Sequence, residues 1–359
     1  MRISVLDQSP VAEGSSGAQA LRNTLDLASL ADALGYHRYW VAEHHGGPML
    51  AGASPEVLVA EIAGRTARLR VGSGGVMLPH YSPLKVAETF SILASLHPDR
   101  IDLGIGRAAG TDPLCAFALQ RDRRQAAPDD FPEQLAELLA YLEDSLPAEH
   151  PFARLAKTLP GPERPQPWLL GSSPQSAIWA AQLGLPYAFA DFINPGGAEI
   201  TALYRERFAA TGGPSGRVRT AGAAPQVAVA VWALCAPSEE EAQYLAASSR
   251  MTLRLLRRGQ LIPVPPPERA LEFLAREGAP REGRGLPGRR AVIGSPSQVR
   301  AGLEELAEAY GAEEVIVVTI TYDHGARRRS YELIAQAFGL SPEVEGEAGE
   351  LEALGARAS

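Results

Sequence analysis

The sequence predicts an eight-stranded (β/α) TIM barrel in a chain of 359 residues. Its first third repeats a strand–helix unit about every 30 residues, which implies parallel strands joined by right-handed crossovers. Followed to the end, the strand-like runs number eight, the count and size of a barrel. The competing architecture, a doubly wound open sheet, carries a glycine fingerprint in its first turn, and no GxGxxG occurs there.

The first apolar run, 3–6, ends in the polar Asp7-Gln8-Ser9-Pro10. From about 17 to 34, Leu21, Leu25, Ala28, Ala31 and Leu34 recur at helical spacing until Gly35 stops them. Tyr39-Trp40-Val41 is the second strand and leads to Glu43-His44-His45. The next helix opens at Ser54-Pro55, an N-cap followed by proline at the first helical position. The run 69–77 precedes a helix opening the same way at Ser82-Pro83, and 101–105 ends in GRAAGTDP. Later units are less even. Residues 168–170 end in Gly171-Ser172-Ser173-Pro174 and enter a helix through Ala181, while 187–190 end in DFINPGG with a helix to about 210. The runs 227–234 and 315–320 complete the set, the latter β-branched and suited to burial on both faces.

Two stretches break the rhythm: 111–165, with one helix at about 132–144 among Pro-rich loops, and the Pro/Gly/Arg-rich 259–290. Both are expected as βα insertions, either a lid over the C-terminal face or solvated loop. A single barrel domain is expected over 1–340, then an acidic, flexible tail over 341–359.

Composition narrows the class. With 45% hydrophobic and 21% charged residues the chain is globular rather than disordered. Cys115 and Cys235 stand alone, which excludes a disulfide scaffold. The net charge of −8 and the short arginine clusters at 121–124 and 327–329 argue against nucleic acid. No run approaches the ~20 apolar residues of a membrane span, and MRISVLDQSP lacks the apolar core of a signal peptide. A cytoplasmic protein acting on small molecules is expected.

Barrel sites lie at the C-terminal ends of the strands. Those ends carry Asp7-Gln8-Ser9, Glu43-His44-His45, Gly74-Gly75-Val76-Met77, Gly106-Arg107, Ser172-Ser173 and Asp191-Phe192. Adjacent histidines on an extended strand face opposite ways and cannot easily share a metal, so no metal is expected. One imidazole at a barrel mouth suits general acid–base work; a strand-capping role is the alternative for either. His44 is expected to be catalytic, with Gln8, Glu43, His45 and Phe192 in the substrate pocket. The Gly74-Gly75 pair marks either a tight bend or close approach of backbone to a ligand. Arg107 and Ser172-Ser173 read as an anion site, or as a surface ion pair and an N-cap.

At these residues the sequence resembles the bacterial-luciferase-like family of flavin-dependent monooxygenases, in its compact, non-luminescent branch. The likeness rests on SVLDQSP, LADALGYHRYWVAEHH, LRVGSGGVMLPHYSPLKVAETFSILASLHPDRIDLGIGRAAGTDP, WLLGSSPQSA, LGLPYAFADFINP and VTITYDHGARRRSYELIA. Together they span about 1–113, 166–210 and 291–339. The resemblance implies a (β/α)₈ barrel with FMN at its C-terminal mouth and a non-prolyl cis peptide at Gly74–Gly75. It implies reduced FMN from a separate flavin reductase, and oxidation of a small organic substrate, such as a carbonyl compound, by O₂ through a C4a-hydroperoxyflavin. His44 would be the acid–base, and Gly74, Gly75, Met77, Arg107, Ser172 and Ser173 would hold the flavin. A homodimer is implied too, and the small residues Ala60, Ala63, Gly64 and Ala67 suit close helix approach. The rivals are an F420-dependent hydride-transfer oxidoreductase on the same fold and a flavin-binding protein without turnover.

Overall fold

The computed structural model describes residues 1–107, 113–120, 122–125, 129–211, 224–278 and 291–341. The expected tail lies outside them apart from Ser341, as do 111–112, 121 and 126–128 of the first insertion and 279–290 of the second.

In chain order the elements are β1 (Arg2–Asp7), α1 (Gly17–Leu34), β2 (Arg38–Val41), α2 (Pro55–Arg65), β3 (Arg70–Met77), α3 (Pro83–Leu96), β4 (Ile101–Gly106), α4 (Pro113–Leu119), α5 (Phe131–Glu143), α6 (Ala153–Ala156), β5 (Gln166–Gly171), α7 (Pro174–Leu183), β6 (Tyr187–Ala190), α8 (Ala198–Thr211), β7 (Val227–Cys235), α9 (Glu239–Leu256), α10 (Pro267–Arg276), β8 (Ala291–Gly294), α11 (Pro296–Tyr310), β9 (Glu314–Val318) and α12 (His324–Phe338). All strand pairings are parallel, and β1-β2-β3-β4-β5-β6-β7-β9 closes on itself as a barrel. The expected helix boundaries are present: Gly35 ends α1 in the left-handed conformation at φ 83°, and Pro55 and Pro83 open α2 and α3, with Ser54 and Ser82 at the N-cap positions but making no side-chain cap hydrogen bond.

The barrel has the expected eight strands, and the described sheet adds a ninth, β8, that sequence reading did not find. Residues 228–232 of β7 pair with β9, and Trp232–Cys235 pair with β8, so β8 takes over the edge of β7 where β9 leaves it. The four-residue AVIG run is too short to stand out from its neighbours as a strand. The 259–290 insertion also contains a helix, α10, whose proline-rich start reads as loop until Pro267 is recognised at a first-turn position. Upstream of it Val264 exchanges backbone hydrogen bonds with Val11 and Glu13 and joins the cluster inside the barrel, which brings this segment over the β1 end of the mouth. The first insertion holds α4, α5 and α6 where one helix was expected.

A large apolar layer separates barrel and helices, while a smaller cluster of Leu6, Trp40, Ala42, Trp168 and Ile316 fills the interior. Below it the floor is charged. Arg38 Nε and Nη1 donate to Glu314 and Asp102 at 2.6 Å each, and Arg70 Nη2 reaches Asp102 at 2.6 Å. The Trp40 indole donates to Asp102 at 3.0 Å, and the Arg38 guanidinium lies 4.7 Å from the Trp168 ring centroid. Burial would push the Asp102 carboxyl up, but the Arg38 and Arg70 charges hold it below its ordinary range. Truncating the guanidinium takes the closest cation from buried Glu314 and one of two from buried Asp102. Arg38→Ala is therefore expected to lower unfolding stability by about 3–5 kcal/mol, measured by urea denaturation at neutral pH.

Candidate active site in the barrel mouth

A cavity of about 470 Å³ enters the barrel from its C-terminal end. It exists because inward positions of β6 and β7 carry Ala188, Ala190 and Ala230, and because Gly74, Gly75 and Gly106 leave the opposite wall without side chains. Such a volume lies within the range of small-molecule and cofactor sites. Of the residues singled out from sequence, Gln8, His44, Gly74, Gly75, Met77, Arg107, Ser172, Ser173 and Phe192 all line it.

The Gly74–Gly75 peptide is cis, and the β3–β4 register shifts between Gly74 and Val76. Neither glycine has room for a side chain. A Cβ on Gly74 would sit 2.6 Å from Leu6 Cδ1, and one on Gly75 would sit 2.8 Å from the Gly104 carbonyl oxygen. The pair thus serves a backbone path that runs against its neighbours, with Met77 emerging beyond it at the rim.

His44 follows β2, its amide held by the Gly52 carbonyl at 2.8 Å. Its Nδ1 is buried and takes no partner among the described residues. Burial, with the neighbouring His45 adding to it, pushes the imidazole down to about 4, so it is neutral at physiological pH. The ring as a whole lines the cavity, and a neutral imidazole there can accept or pass a proton.

Glu43 and His45 do not line the cavity, contrary to expectation. Alternation along the extended chain turns them behind the wall, where Glu43 is fully buried. There His45 Nε2 lies 2.8 Å from Glu43 Oε1, and the Met77 amide donates to Oε2 at 2.9 Å. The Tyr81 hydroxyl also donates to Glu43; burial and the Glu43 and Glu56 charges raise its pKa far above the ordinary phenol range. Glu43 therefore ties the ends of β2 and β3 together from outside.

Across the cavity, Ser173 caps α7 with a reciprocal box to Ser176, and the Ser172 carbonyl accepts from the Asn194 amide at 2.9 Å. This fixes a serine pair at the positive end of a helix. Arg107 is half exposed beside it. One guanidinium nitrogen donates to both Asp129 oxygens at 2.8 and 2.9 Å, and the guanidinium lies 5.7 Å from the Trp179 ring centroid. Arg107, Ser172 and Ser173 thus form a rim suited to an anion, and the apolar Met77, Trp179 and Phe192 are suited to a flat ring system. Among the described residues no cluster of His, Cys, Asp or Glu could hold a metal ion, and no helix is long and apolar enough to cross a membrane.

Residues 1–313 match the luciferase-like monooxygenase family. The chain belongs to that family. The N-acetyl-S-alkylcysteine monooxygenase of Bacillus subtilis is 36% identical over 94% of this chain and 98% of its own. The crystal structure of apo-MsnO8 is 42% identical, with a TM-score of 0.83 over 95% of this chain and 99% of that one. The oxygenating constituent of 3,6-diketocamphane monooxygenase from Pseudomonas putida, solved with FMN, shares the fold at 20% identity and a TM-score of 0.69, covering 96% of this chain and 98% of that one.

In this luciferase-like barrel several cavity residues escaped sequence reasoning. Trp40, Phe131 and Trp179 line the cavity without having been singled out, and so do the alanines of β6 and β7. The available signal was the small side chain at successive inward positions of those strands, which leaves an interior unfilled.

The low His44 pKa has a measurable consequence. Between about 4 and 6.5 the unfolded chain binds a proton that the folded one does not, so the stability from neutral His44 is complete above 6.5 and is lost as pH falls toward 4. His37, also pushed to about 4, acts in the same direction. Histidine NMR titration should find His44 at about 4, and His44→Asn should flatten the fall in urea stability between pH 7 and pH 5.

Proposed function

We propose that this chain is the oxygenating component of an FMN-dependent monooxygenase that takes reduced flavin from a separate reductase and oxidises a small organic substrate with O₂. The observation that carries the reading is the pairing, in one cavity lining, of a neutral His44 ring with an anion-suited rim at Arg107, Ser172 and Ser173. FMN needs both a phosphate anchor and a largely apolar slot for its ring, and the residues present fit it. In this reading the α7 N-terminus and Arg107 hold the phosphate, and the backbone at Gly74–Gly75 and Met77 supports the ring. Bound and reduced, the flavin supplies the activation of O₂, while the protein contributes position and electrostatics.

The chain's own residues do the rest. His44 holds or moves a proton beside the reacting atoms. Met77, Trp179 and Phe192 exclude water. The buried Cys235 thiol agrees with a reducing, cytoplasmic setting. The relative acting on N-acetyl-S-alkylcysteine and the one acting on a diketocamphane both support a small organic substrate, thioether or carbonyl.

The test is an anaerobic titration with reduced FMN, followed by mixing with oxygenated buffer under rapid absorbance scanning. Tight binding and a transient distinct from both reduced and oxidised FMN are expected; failure to bind FMN would overturn the reading and direct attention to deazaflavin. His44→Ala should slow substrate oxidation by about 10²–10⁴-fold with flavin affinity nearly intact. An equal loss of both would remove its acid–base role.

The same reading includes a homodimer. α2 exposes Val57, Ala60 and Gly64 on one face, and the neighbouring α3 exposes Ile92 and Leu96, so the two helices present an apolar strip. Ala63 is instead buried against its own barrel. Light scattering at micromolar concentration should give twice the monomer mass, falling to the monomer value in Val57→Glu.

A further inference from the structure

Beside the main cavity lies a smaller one of about 30 Å³, room for one small polar group. Its walls are Trp232 and Leu234 of β7, Val318 and Ile320 at the end of β9, and Ser249 and Arg250 of α9. The two cavities share no lining residue but are carried by the same two strands. The main one is lined by Ala230 and Ile316; two residues further along the same strands, Trp232 and Val318 line the smaller. Between them the Trp232 ring stacks on Phe192 of the main cavity, with centroids 5.7 Å apart at 26°.

Arg250 differs from the other inward-lying arginines. Arg38, Arg70 and Arg327 each meet a buried carboxylate. The Arg250 guanidinium donates to the neutral amide oxygen of Gln243, and among the described residues no carboxylate pairs with it. Its surroundings otherwise are Leu253, Ala246 and the apolar strand ends. Burial there pulls its pKa below the ordinary guanidinium value, though it stays charged. A half-buried cation with no counter-ion carries an uncompensated desolvation cost, which an incoming carboxylate would offset through paired charge-assisted hydrogen bonds.

We propose that Arg250 recognises a carboxylate on the organic substrate, the acid group lodging in the small cavity while the remainder passes the Phe192–Trp232 pair into the main one. This deepens the monooxygenase reading and rests on it for the identity of the main cavity. It assigns the substrate class as a monocarboxylate with an apolar chain or ring. The position of the acid then orients the far end of the molecule toward His44. Recognition by Arg250 is specificity-determining rather than catalytic, since it lies on the far side of Trp232 from the histidine wall.

The test is calorimetric and needs no turnover. Full-length protein, loaded with FMN and also without it, is titrated with matched pairs of hexanoate and hexanamide, and of 3-phenylpropanoate and 3-phenylpropanamide. The wild type is expected to prefer the acid of at least one pair by tenfold or more. Arg250→Gln should bring that ratio near one, Arg250→Lys should retain part of it, and Arg257→Gln, an exposed arginine at the end of the same helix, should leave it unchanged. FMN affinity should be the same in all four proteins. Equal binding of acid and amide in both pairs, or a preference that survives Arg250→Gln, overturns the proposal while leaving the flavin reading intact. A protein that binds the acids through Arg250 but no FMN would support the anion site and overturn the flavin reading instead.

Discussion

The structure depends on one buried guanidinium. Arg38, at the start of β2, holds Asp102 of β4 and Glu314 of β9 at once, so three strands separated by up to 276 residues meet at a single side chain. A buried ion pair contributes little net stability over a well-packed apolar group, but it tolerates only one arrangement of its partners. At the floor of a closed sheet that selectivity has value, because a slipped register would leave two carboxylates unpaired in the interior. With Trp40 and Trp168 packed over it, the floor is solid. The mouth can then be hollow, and glycines and alanines can line it without loss of the barrel.

At the mouth, the division of labour follows from the two-residue period of extended chain. Glu43, His44 and His45 are neighbours in sequence, yet only the middle one faces the cavity. The outer two join Tyr81 and the Met77 amide in a network that fixes where β2 and β3 end. The His44 ring is thus held in a short segment clamped from behind, and its own Nδ1 takes no partner among the described residues. Its position is set by residues behind the cavity wall.

Much of this was legible in the sequence. The eight barrel strands, the helix boundaries at Gly35, Ser54-Pro55 and Ser82-Pro83, and the glycine pair all leave local marks, because hydrophobic period and turn chemistry are local. The anion-suited rim was legible for the same reason, since a serine pair before a proline announces a helix start. What stayed hidden depends on neighbours distant in the chain. β8 is four residues long and exists only because the edge of β7 is vacated there. The inward or outward sense of Glu43 and His45 is set by how the strand sits in the closed sheet. Arg250 looks like one more arginine on a helix surface until Trp232, Val318 and Ile320 are brought against it.

The shared edge of β7 carries a further consequence. Because β8 continues the ladder that β9 abandons, the described residues from α9 to β8 meet the sheet at the edge of β7 and, through Val264, the chain after β1, and they interrupt none of the eight ladders that close the barrel. The chain between Ala236 and Gly294 is a graft on a finished frame. Changes of length or charge within that stretch therefore leave the pairing of the eight closing strands as it is, and exchanging it as a block is expected to leave the barrel folded.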